Sequence, residues 1–114
     1  MVVSKKTAQP SLISNHAIHA FLDAAWLEDG LADNTLSAYR RDITAFAQWL
    51  EQTRKYDIDH AQTADIQAWF AHLHPSSRAT TANRRLAALK KYYLWARRRQ
   101  RISVDPCLNL KSAK

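Results

Sequence analysis

Between Ser77 and Arg101 the chain places Ala82, Leu86, Leu89, Tyr93 and Ala96 at steps of four, three, four and three residues. On a helix of ~3.6 residues per turn these side chains form one apolar stripe, and that stripe has to be buried. Ser77, Thr80, Arg84, Ala88, Lys91 and Arg98 fall roughly 120–180° from it on the same wheel, with Thr81 at their flank. This second face is small, hydroxylated and basic. No Asp or Glu occurs between Ile66 and Val104, while nine of the seventeen Lys and Arg lie between Arg78 and Arg101. A helix face that only meets water usually mixes its charges, because like charges repel and acid–base pairs one turn apart are stabilising. One sign over so long a stretch predicts an anionic partner.

The helical period recurs upstream. Ile18, Phe21, Leu22, Ala25 and Trp26 outline a first helix, opened by a Ser14 or Asn15 cap and closed by Gly30, the one glycine in the chain, which enters the left-handed conformation without steric cost. Leu36, Tyr39, Ile43, Phe46 and Leu50 outline a second, capped by Asp33 or Asn34, and its opposite side begins with Asn34, Ser37, Ala38 and Arg41. Ile66, Trp69, Phe70 and Leu73 face inward from a short third helix capped by Thr63, and Pro75 with two serines makes the turn into the fourth. No strand-like alternation appears. The expectation is an all-α domain, a compact bundle of four helices over residues 14–104. A flexible arm, 1–13, precedes it, and a linker, 105–114, begins at Asp105-Pro106, where proline blocks helix continuation. Trp49 is expected to be partly buried, and Trp95 to pack either on the first helix or on a further domain.

A length of 114 residues suits one core and not two. The net charge of +7 is unevenly placed, with six bases and nine acids in residues 1–65 against eleven bases and one acid in residues 66–114. Such a local basic patch attracts polyanions, nucleic acid first and an anionic membrane surface next. Cys107 is the only cysteine, which leaves no internal disulfide or multi-cysteine metal site. No apolar run approaches the ~20 residues of a membrane span, and the N-terminus lacks the apolar segment of a secretory signal, so a cytoplasmic protein without membrane contact is expected.

Catalytic constellations are not evident. His60, His72 and His74 lack metal-ligand spacing, and Glu28-Asp29 beside Gly30 reads as a solvated helix end. One glycine cannot build a phosphate loop. Tyr39 and Tyr93 lie on core stripes, and no tyrosine has an activating histidine set. We therefore expect no active site, metal or cofactor. Binding is the better reading, because Lys and Arg neutralise phosphate while Arg84 and Asn83 carry groups suited to the edges of guanine and adenine.

The run Leu31-Ala32-Asp33-Asn34-Thr35-Leu36-Ser37-Ala38-Tyr39-Arg40-Arg41-Asp42, followed by Phe46 and Trp49-Leu50, resembles the N-terminal core-binding domain of bacterial tyrosine site-specific recombinases of the Xer type, XerC or XerD. So does the segment from Thr80 to Tyr93 with Asp105-Pro106 behind it, and the likeness covers about residues 14–114. These residues do not separate XerC from XerD or from a phage or integron integrase. The resemblance implies a four-helix SAM-like domain forming half of a C-shaped clamp on duplex DNA, with the second and fourth helices crossing the major groove. Asn34, Thr35, Ser37, Ala38 and Arg41 match the contacting positions of the second helix, and Thr80, Thr81, Arg84 and Ala88 those of the fourth. It further implies that the catalytic arginines, histidines, lysine and tyrosine belong to a C-terminal domain outside this sequence, so that this part holds DNA without cutting it. The implied partners are the recombination site, that catalytic domain and other recombinase subunits, tetrameric on two DNA sites. Ala87 stands where the family often has serine, and Ala113-Lys114 where it has proline-lysine.

The expected DNA-binding set is thus Asn34, Thr35, Ser37, Arg40 and Arg41 with Ser77, Thr80, Thr81, Asn83, Arg84, Arg85, Ala88 and Lys91. The competing expectation is a helical interaction module whose basic face meets an acidic protein. A helix-turn-helix repressor fits less well, given the length of the fourth helix.

Overall fold

A computed structural model describes residues 10–111, and they form four α-helices in sequence. These are α1 (Leu12–Asp29), α2 (Asp33–Thr53), α3 (Thr63–Leu73) and α4 (Ala79–Arg98), with 3-10 turns at Ile58–His60 and His74–Ser76. The hub is α2, which packs against each of the other three helices, while α1 also meets α4. Ile43, Phe46, Ala47 and Leu50 on α2 are fully enclosed, as are Leu89, Tyr92, Tyr93 and Ala96 on α4. Each such large side chain contributes ~1.5–3 kcal/mol by leaving water. Phe46 meets Trp69 of α3 with ring centroids 5.2 Å apart, and Phe21 of α1 meets Tyr92 edge-on at 5.6 Å.

The two adjacent tyrosines have polar ends to satisfy. Tyr93 donates to the Ile58 carbonyl at 2.7 Å, and Tyr92 to the Asp59 carboxylate at 2.6 Å. Burial, more than the neighbouring charges, raises both hydroxyls far above the ordinary tyrosine value, so they act as fixed donors and not as nucleophiles. Arg101 also reaches Asp59, at 3.1 Å.

The helix ends differ from the expected caps. α1 starts a turn earlier than expected, at Leu12, capped by Ser11, whose hydroxyl accepts the Ser14 N–H. Ser14 is instead a buried tie, donating to Glu51 and accepting the Ile58 N–H. Of the expected arm, residues 1–9 lie outside the described residues, and Leu12 and Ile13 belong to α1. α2 is preceded by Ala32, which offers no side-chain bond; Asp33 and Asn34 are helical, and an acid in the first turn favours the positive end of the helix dipole. α3 is capped by Gln62 in a reciprocal box with Asp65. That frees Thr63, whose hydroxyl donates to the Pro106 carbonyl at 2.7 Å. Gly30 does close α1, with φ +64° and its N–H on the Ala25 carbonyl.

Two stretches depart from the apolar patterns. Trp26 is 57% exposed, because the packed surface of α1 ends at Ala25 and the next residue projects past it. Conversely, the segment expected to leave as a linker folds back. Cys107 is buried in the core, and Leu110 packs on its edge. Trp95 lies against α1, its ring 5.7 Å from Phe21, and Trp49 is half-buried, as expected. Residues 112–114, with the expected Ala113-Lys114 departure, lie outside the described residues.

Candidate nucleic-acid interface

The basic face is built where α2 and α4 meet. Arg84 of α4 donates through Nε and Nη2 to the two oxygens of Asp42 on α2, at 3.0 and 2.9 Å. This bond joins the N-terminal halves of the two helices, which carry most of the expected contact residues. Asn34, Ser37, Arg40 and Arg41 are exposed on α2, as are Thr80, Arg84 and Lys91 on α4. Thr35, Thr81 and Asn83 are half-buried beside them. No acid lies on α4.

Three expectations change. Ala88 is fully buried in the core, so it is not a surface contact. An ideal wheel gives its angle but not the width of the buried arc, which Ala88 and Tyr92, both fully buried, widen beyond the expected stripe. Arg85 is turned toward α3, with its guanidinium 5.9 Å from the centroid of Trp69 and Nη1 on the Ser77 hydroxyl at 2.9 Å. Both Arg85 and Ser77 therefore belong to the flank of the face and are bound to each other. Arg84 is exposed yet engaged. The hydrogen bonds it donates to Asp42, outweighing the cost of burial, raise its pKa above the usual guanidinium value, which fixes it as a cation.

Asp42 was not among the expected site residues. The signal was present, since it is the acid directly following Arg40-Arg41, but its partner lies 42 positions away and only the tertiary contact reveals it. Arg98 continues the line of Thr80, Arg84 and Lys91 along α4 and is exposed.

On the other side of α4 an apolar groove of about 400 Å³ runs along α3, floored by Ile66, Phe70 and Leu86 and rimmed by Arg78, Arg85 and Lys111. Among the described residues no three His, Cys, Asp or Glu side chains converge on a possible metal position. His72 and His74 are exposed, and His60 pairs with Asp57 at 3.0 Å. No described helix is long and apolar enough to cross a membrane.

Four helices, a basic seam between the second and fourth, and the asparagine-threonine-leucine run at the start of α2 all call for comparison with known domains. Residues 18–100 match the family described as phage integrase, N-terminal SAM-like domain. The chain belongs to that family. Similar proteins include tyrosine recombinase XerD of Ralstonia nicotianae, 48% identical over 101 residues, which cover 89% of this chain and 32% of the relative. XerD of Proteus mirabilis is 40% identical over 98 residues, 85% of this chain and 31% of the relative. XerD of Shewanella oneidensis is 37% identical over 98 residues, again 85% of this chain and 32% of the relative. The SAM-like domain thus spans about a third of the length of these relatives.

Proposed function

We propose that this SAM-like domain grips duplex DNA across its α2–α4 face, as half of a clamp in a site-specific tyrosine recombinase. The observation that carries this reading is the Asp42–Arg84 pair. It makes one continuous surface of two helix faces that the sequence singles out separately as small, polar and basic. Lys and Arg on such a surface displace counterions from phosphate, and Ser and Thr between them allow close approach to the groove. The name shared by the relatives supports a recombinase setting and favours the XerD branch.

In this reading the parent protein exchanges DNA strands through a tyrosine–phosphate intermediate made by a C-terminal catalytic domain, with four subunits on two sites. Resolving chromosome dimers in the cytoplasm, during partition and cell division, is the proposed setting. Titration of this domain against a labelled duplex carrying a palindromic recombination core, at several salt concentrations, tests the first step. Binding that weakens steeply with salt is expected, and no binding at low salt ends the reading.

A further inference from the structure

An unpaired arginine facing DNA does two things together: it neutralises phosphate, and its planar fork can pair with the edge of guanine. Arg84 is not unpaired. Its Nε and one Nη2 hydrogen are committed to Asp42, whose side chain is 3% exposed, while the arginine's own is 43% exposed. Two consequences follow from that asymmetry. The positive charge is balanced within the protein, so Arg84 has little left with which to displace counterions. The two-point attachment also fixes the plane of the guanidinium, so its outer edge, the Nη1 group and the second Nη2 hydrogen, is held at one angle to both helices. By contrast, Arg41 and Lys91 are exposed and lack an acidic partner among the described residues.

We propose that Asp42 is a positioning residue that turns Arg84 from a phosphate contact into a rigid reader of base edges, dividing the face into a discriminating pair and salt-sensitive cations, Arg41 and Lys91. The proposal rests on the reading that the α2–α4 face meets duplex DNA. A role limited to stapling α2 to α4 makes a different forecast, because loss of the staple weakens binding to every duplex in step with stability.

The experiment uses a duplex selected by the wild-type domain from a randomised library and a scrambled duplex of equal composition, with affinities followed by anisotropy from about 50 to 300 mM salt. Arg84→Lys, and the double variant Asp42→Asn with Arg84→Gln, which removes both charges together, are expected to reduce the preference for the selected duplex by about tenfold or more, with the slope of log affinity against log salt unchanged. Lys91→Ala should reverse this, keeping the preference while the slope shrinks by about 0.9. Asp42→Asn should lose preference without any fall in the salt slope, since it removes no cation. Should Asp42→Asn fail to fold, as its melting curve would show, Arg84→Lys decides, since it keeps a cation beside the carboxylate and removes only the fork. An Arg84→Lys variant with intact preference overturns the proposal, as does a slope for the double variant that falls like that of Lys91→Ala. Failure of the wild type to bind either duplex at the lowest salt removes the DNA reading itself, and this proposal with it.

Discussion

The Ser14 hydroxyl of α1 and the Glu51 carboxylate of α2 stand 2.5 Å apart, and the same hydroxyl accepts the Ile58 N–H at 3.0 Å. Because Ser14 is wholly buried, deleting its oxygen strands an amide that water cannot reach. Ser14→Ala should cost ~1–3 kcal/mol in a urea titration. Ser11→Ala, at the exposed cap, should cost only about 1 kcal/mol. A Ser14→Ala variant as stable as wild type would mean that the Ile58 amide finds another acceptor.

Acid sensitivity is expected to centre on Asp65. Its burial alone would raise the carboxyl, but bonds from Tyr56, Gln62 and Arg54 outweigh this and hold it below the ordinary value. A carboxyl depressed in the folded state stabilises fully above its unfolded pKa of ~3.9, and the contribution disappears as pH falls through the lowered folded value. Asp65→Asn should therefore be less stable than wild type at neutral pH, and its stability should fall less steeply below about pH 4. Parallel curves for the two proteins would place the acid transition elsewhere.

Cys107 should report on the anchoring of the C-terminal segment. Burial, and secondarily the charge of Asp105, pushes its thiol up to about 12, so at neutral pH it is both protonated and enclosed. Alkylation of the native protein should be slow and should accelerate only through the urea transition. Rapid labelling without denaturant would show the segment detached from the core.

Ala88 and Ala87 make a paired test of which side of α4 is packed. Ala88→Leu should destabilise by ~1–3 kcal/mol through overpacking, with any loss of DNA binding following the loss of fold. Ala87 is exposed, and Ala87→Ser should change stability by less than about 0.5 kcal/mol. Thermal melts of both variants check this.

These contrasts mark how far the sequence is readable. The stripes through Ile18, Phe21 and Leu22, through Ile43, Phe46 and Leu50, and through Leu86, Leu89 and Tyr93 are all buried as their spacing predicts, because periodicity reports the angle a helix presents. The width of the buried arc is not encoded that way. Alanine serves a core and a surface equally well, so the wheel misplaces Ala88, and Trp26 keeps the period yet stays exposed. Caps fail for a related reason. Ser, Thr, Asn and Asp crowd every helix start in this chain, and tertiary acceptors such as Glu51 and the Pro106 carbonyl decide which one is used. In the interface, Thr80 and the exposed cations were legible as a face, whereas the carboxylate that pairs with Arg84 required knowing that α2 and α4 touch.

The turn at Ile58–His60 is three residues long, yet α1 reaches it through Ser14, α4 through Tyr92 and Tyr93, and the chain after α4 through Arg101. A segment fastened from so many sides cannot breathe on its own, since opening it means prising both flanking helices away at once. The amide of Ile58 should then trade hydrogen for deuterium only when the whole domain comes apart, making one of the smallest elements of the molecule its slowest clock.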